Sequence, residues 1–138
     1  MKGRLTKEFG VLVNAKDSGL AELTEALGSS GVNIVTLAMS SDGGVDLRVR
    51  LVTSDESTCR QILRQLKYNF AEAEILTVSI DDRPGSLAKL LWKLRKASIV
   101  VKSVYIINRK EGKVELVVGV DDVEQGKRLL FDRLGLGR

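Results

Sequence analysis

Eight consecutive residues, Ile80-Asp81-Asp82-Arg83-Pro84-Gly85-Ser86-Leu87, bring together the groups a small charged molecule needs. Proline fixes its own φ and drives the preceding residue out of the α region, so this stretch predicts a helix that begins sharply at Pro84. The first-turn amides of Gly85, Ser86 and Leu87 then lack intrahelical acceptors and carry the positive end of the helix dipole, and at Gly85 no side chain blocks close approach. A small carboxylate fits such a corner. Asp81 and Asp82, beside the same turn, offer charges to an ammonium group on the same molecule. Donors for one end and carboxylates for the other are what a free amino acid requires. The alternative is a plain strand-to-helix turn in which Asp82 caps the helix and Gly85 permits tight packing.

The elements that must hold this corner occur twice. Asp17–Leu27 reads DSGLAELTEAL and Pro84–Leu94 reads PGSLAKLLWKL, so Leu20, Ala21, Leu23 and Leu27 recur 67 residues later as Leu87, Ala88, Leu90 and Leu94. A period of this length is a repeated supersecondary module. In the first copy the pattern predicts a strand over 8–14 and a helix from about 18 to 27 ended by Gly28 and Gly31. A hairpin of strands 32–40 and 45–52 follows, turning through Asp42, Gly43 and Gly44, and then a helix over 55–67 capped by Asp55 or Ser54. In the hairpin Val45, Leu47, Val49 and Leu51 alternate with Asp46, Arg48 and Arg50, the mark of a sheet with one buried and one wetter face. The second copy predicts a strand over 75–80, a helix over 84–97, strands over 99–108 and 113–120 joined at Glu111-Gly112, and a helix over 123–134.

This order, βαββα twice, implies an α+β fold: a ferredoxin-like βαββαβ sandwich duplicated in tandem, with units at 1–72 and 73–138. The final strand of each unit is short or missing. Only residues 69–74 remain for it in the first copy, and the second ends in LGLGR. Unpaired sheet edges invite cover from another sheet or another chain, which predicts pairing between sheets or a homodimer.

Composition narrows the function classes. The chain of 138 residues has 43% apolar and 29% charged residues, globular proportions without a low-complexity tract. Its apolar runs are far shorter than the roughly 20 residues of a membrane span, and MKGRLTKEFG has no signal-peptide core, so a cytoplasmic protein is expected. The net charge of +4 is dispersed, and Lys93, Arg95 and Lys96 fall at a helix end where cations suit the dipole. Base stacking by RNA needs aromatics on central strands, and the hairpins offer Tyr105 alone, so no nucleic-acid partner is expected. There is no histidine and one cysteine, Cys59, in helical register with Ile62, Leu63 and Leu66 as a buried thiol. Without a histidine, a phosphate-cradling glycine motif or a serine beside a base, no catalytic set assembles; no enzyme activity, cofactor or metal is expected. Trp92 falls at the margin of the helix face made by Leu87, Leu90, Leu91 and Leu94, read as a core-margin residue with an interface anchor as the alternative.

At Asp82-Arg83-Pro84-Gly85-Ser86-Leu87-Ala88, and at Gly31-Val32-Asn33-Ile34, the chain resembles the ACT domain, the small regulatory βαββαβ module, here in tandem over residues 8–134. The first segment is similar to that family's turn between first strand and first helix, the second to its passage from helix to second strand. The whole resembles stand-alone tandem ACT proteins. The resemblance implies a non-catalytic sensor of a small amino acid or related carboxylate, bound at the interface of paired units between Asp81–Leu87 and Asn33, with a separate enzyme as its regulated partner. It also implies that serine is a poor candidate ligand, because Ile80 stands where a serine-sensing relative has histidine. In the first copy Asp17 replaces the proline, and its carboxylate would repel a ligand carboxylate from that helix end. The competing reading is an interaction or oligomerisation module without a ligand.

Overall fold

The computed structural model describes residues 2–41 and 43–131. Asp42 of the expected hairpin turn, the end of the expected last helix and the LGLGR terminus lie outside the described residues. The elements are β1 (Lys2–Asn14), α1 (Gly19–Ser29), β2 (Ile34–Ser41), β3 (Asp46–Thr53), α2 (Glu56–Gln65), β4 (Asn69–Asp81), α3 (Ser86–Lys96), β5 (Val101–Lys110), β6 (Lys113–Val120) and α4 (Val123–Leu130). The fold is the α+β, ferredoxin-like module in two copies. The described residues fall into two compact units: one is Lys7–Ala73, the other combines residues 2–6 with residues 74–131.

In the unit Lys7–Ala73 the strand order is β2-β3-β1-β4, the last place taken by the first residues of β4. Antiparallel register sets Phe9 opposite Leu51, Val11 opposite Val49 and Val13 opposite Leu47, so one face of the sheet is continuous apolar surface. Leu23 and Leu27 of α1 and Cys59, Ile62 and Leu63 of α2 close over it. The Asp55 side chain accepts a hydrogen bond from Thr58 N–H and so starts α2. Arg60 Nε and a terminal guanidinium nitrogen reach both Glu72 oxygens at 2.6 Å, fastening α2 to the start of β4.

The other unit has the order β1-β4-β6-β5, with residues 2–6 of β1 as its edge strand. The closing strand expected to be short or missing is therefore present in both units, and in this one it comes from the opposite end of the chain. Thr77 Oγ1 donates to the Arg4 carbonyl at 3.3 Å, Arg4 pairs with Glu115 at 3.5 Å, and Gly3 lies against Phe131 and the Thr77 carbonyl. The core joins Leu76, Val78 and Ile80 of β4 with Leu90 and Leu94 of α3, Val114, Leu116 and Val118 of β6, and Leu130 of α4. The β5–β6 hairpin turns through Glu111 (φ 53°) and Gly112 (φ 76°), two left-handed residues whose twist matches the strands they join.

Both units anchor the strand after the first helix in the same way. Asn33 and Ser54 exchange bonds in one, Asn33 N–H to Ser54 Oγ and Ser54 N–H to the Asn33 carbonyl, each 2.9 Å. Val100 and Asp121, 67 residues further on, do the same at 3.0 and 3.1 Å.

Candidate functional site

The corner between β4 and α3 is built differently from the sharp start at Pro84. The first helical residue is Ser86, and Gly85 is the N-cap with φ 90° and ψ −15°, a left-handed conformation that a Cβ disfavours. Pro84 thus belongs to the turn, closed by Ser86 N–H to the Arg83 carbonyl at 3.2 Å. That bond takes one of the three expected donors. No side chain caps the helix, and the first helical bond runs from Lys89 N–H to the Gly85 carbonyl, so the positive end of α3 still faces the corner.

The structure brings Asp81 through Leu87 to this corner, where Asp81, Arg83, Pro84, Gly85 and Ser86 line both of two clefts and Asp82 and Leu87 line only the second. The first, about 350 Å³, is lined by Ser79, Asp81, Arg83, Pro84, Gly85, Ser86, Lys89, Lys93 and Lys113 among others. Four of its lining residues are cations and one is an acid. The second, about 530 Å³, lies on the other side of the turn and is mainly apolar, with Leu87, Val104 and Ile106 in its wall and Asp82, Arg109 and Tyr105 adding polar groups. Asp82 lines the second cleft alone, whereas Asp81 lines both.

Both carboxylates are already engaged. Asp81 accepts from Lys113 Nζ at 2.5 Å and from Arg83 at 2.7 Å, and Arg109 Nε reaches Asp82 at 3.1 Å. The Lys113 ammonium, with Arg83 beside it, holds the Asp81 carboxyl below the usual carboxylate range. An incoming ammonium group would compete with these cations, whereas a carboxylate meets an excess of them. Sequence reasoning missed Lys89, Lys93, Arg109 and Lys113. Lys89 and Lys93 had a readable signal, since they follow Gly85 at helical intervals of four. Lys113 is set opposite Asp81 by the β4–β6 register, which the sequence does not display.

Asn33 belongs to the unit Lys7–Ala73, and its strand-entry bonds use its backbone, leaving the choice of an asparagine side chain unexplained by them. The first-copy turn is filled from within: Asp17 Oδ1 accepts from Gly19 N–H at 2.8 Å, as the replacement of proline by aspartate predicts. Among the described residues no group of His, Cys, Asp and Glu is placed to hold a metal, and no helix is long and apolar enough to cross a membrane.

No family model and no curated protein sequence matches the chain. Solved structures do. A protein of Bacteroides thetaiotaomicron superposes with a TM-score of 0.82 at 19% identity, covering 93% of this chain and 88% of that one. The ligand-free regulatory subunit of aspartate kinase from Thermus thermophilus gives 0.64 at 13% identity, covering 94% of each. The chain has the tandem ACT fold. The regulatory subunit of aspartate kinase from Thermus flavus is a further neighbour of this chain, at a TM-score of 0.61, 13% identity and 94% of each chain. At these identities the likeness is one of fold.

Proposed function

We propose that this tandem ACT protein is a non-catalytic regulatory subunit that binds a small amino acid or related carboxylate at the Pro84 turn and acts on a separate enzyme. One observation carries the reading: an uncapped helix N-terminus opens beside a cleft lined by Arg83, Lys89, Lys93 and Lys113 against Asp81 alone. Backbone donors and excess positive charge together favour a ligand carboxylate. The engaged state of Asp81 and Asp82 makes the carboxylate end the stronger anchor, so keto acids belong beside amino acids in any screen. Fold likeness to regulatory subunits of aspartate kinase is consistent with control of an amino-acid-metabolising enzyme, and a homodimer supplies the paired units.

A thermal-shift screen of the twenty amino acids and common keto acids tests the proposal. A ligand at 100 times its dissociation constant stabilises the fold by about 2.7 kcal/mol, which moves the melting point by several degrees. No shift at millimolar concentrations across the panel defeats the reading. A second reading, an interaction module without a ligand, is favoured by Trp92, which is 63% exposed and so is not the core-margin residue expected from its place on the helix. Under that reading the melt is indifferent to the whole panel.

A further inference from the structure

The hairpins of the two copies pair alike at one end and differently at the other. In both, one residue bulges just after the strand begins, Val35 in β2 and Lys102 in β5. Further along, β2 keeps a regular register, with Met39 opposite Val49, Ser40 opposite Arg48 and Ser41 opposite Leu47. β5 instead takes an extra residue, Ile107, between Ile106 opposite Leu116 and Asn108 opposite Glu115. Such a bulge turns the side chains after it to the other face of the sheet. Ile106 and Arg109, three residues apart, would face opposite ways in a regular strand. The bulge sets Arg109 opposite Val114, on the face that carries Val104 and Ile106 and whose Val114 and Leu116 pack in the core with α3.

Arg109 thereby enters the wall of the apolar cleft of about 530 Å³, beside Leu87, Val104 and Ile106. Its Nε reaches Asp82 at 3.1 Å, and among the described residues its terminal nitrogens have no partner. A guanidinium held at one edge in this way presents its other edge to a second carboxylate. At the 67-residue period Asp82 and Arg109 correspond to Ala15 and Asp42, whereas the apolar positions persist as Leu20, Leu37, Met39, Leu47 and Val49. The charged pair therefore belongs to the second copy alone. Leu87 and Ile106 stay 42% and 45% exposed in a concave wall, apolar surface that a bound side chain would take from water. Gly85 and Ser86 line the same cleft, so one ligand can meet the turn, Arg109 and the apolar wall together.

We propose that the ligand of the Pro84 turn carries a large aliphatic or aromatic side chain, lodged against Leu87, Val104 and Ile106, with Arg109 as a side-chain contact of its carboxylate. The inference rests on the reading of the turn as a carboxylate site, and it selects the apolar cleft over the lysine-lined one for the body of the ligand.

Calorimetric titration with leucine, phenylalanine and the keto acid of leucine, against alanine and pyruvate, tests it. The large compounds should bind at least about tenfold tighter than the short ones, since burying two methylenes is worth roughly that factor. Ile106→Ser should narrow this gap, and Arg109→Gln should weaken large and short compounds alike by about tenfold, circular dichroism remaining native for both. In methyl-labelled natural protein, the methyls of bound leucine should show contacts to Leu87, Val104 and Ile106, a readout that needs no variant. Alanine and pyruvate binding as tightly as the large compounds overturns this inference and leaves the carboxylate reading standing. So does a bound leucine whose methyls contact Lys89 and Lys93 instead, or an affinity indifferent to Arg109→Gln. Failure of every compound to bind overturns both.

Discussion

Gly85 holds the corner of the candidate site in a backbone shape few other residues adopt. Its φ of 90° disfavours any Cβ, while the space around it is open, so Gly85→Ala introduces strain without a clash. The expected cost is about 1–2 kcal/mol of stability, read from a denaturant melt, together with weaker carboxylate binding as the turn relaxes. Asp81 makes a prediction about acid. Its carboxyl is held below the ordinary aspartate value by Lys113 and Arg83, so their pairing stabilises the fold above that ordinary value and is lost as pH falls through the depressed one. Asp81→Asn should therefore flatten this part of the acid side of a stability-against-pH curve, while an unchanged curve contradicts the pairing. The turn itself was legible, because proline, glycine and two aspartates leave few local shapes. Its surplus of positive charge was not, since Lys113 joins the corner only through strand register.

Element boundaries followed the apolar periodicity closely where both flanks carried signals, as at β6, Lys113–Val120, expected and observed over the same residues. The missed element is the start of β1. Residues 2–6, KGRLT, offer Gly3 and Leu5 on one face among polar neighbours, too weak an alternation to read as a strand, yet they complete a sheet whose other strands begin 72 residues later. A Cβ at Gly3 would come within 2.7 Å of the Thr77 carbonyl and also meet the Phe131 ring. Gly3→Ala should consequently destabilise by about 1–3 kcal/mol, as overpacking does, and a neutral thermal melt would deny that this strand is tightly seated. Within α3, Leu94→Ala removes a fully buried side chain and should cost about 2–5 kcal/mol, whereas Leu87→Ala, 42% exposed at the rim of the apolar cleft, should cost far less.

At the scale of the whole molecule, duplication is what the sequence displayed most openly: four apolar positions repeat at one period, and the strand-entry bonds of Asn33 and Val100 repeat with them. What the repeat concealed is the divergence of its exposed faces, because periodicity reports buried positions and is silent about surfaces. The lone thiol reports on global unfolding. Burial pushes the Cys59 thiol up from its ordinary value, so it should resist alkylation in the native protein and react fully in denaturant; reaction at native conditions would mean that the core of its unit opens. Because the unfolded chain ionises this thiol first, stability should also decline as pH rises past the ordinary cysteine value. The central claim is that the backbone at the start of α3 receives a carboxylate. Titrating isotopically labelled protein with each amino acid and keto acid while following its amide resonances tests this directly. The account predicts saturable shifts at Gly85, Ser86 and Leu87 for at least one compound; unmoved resonances at these three residues across the panel would contradict it.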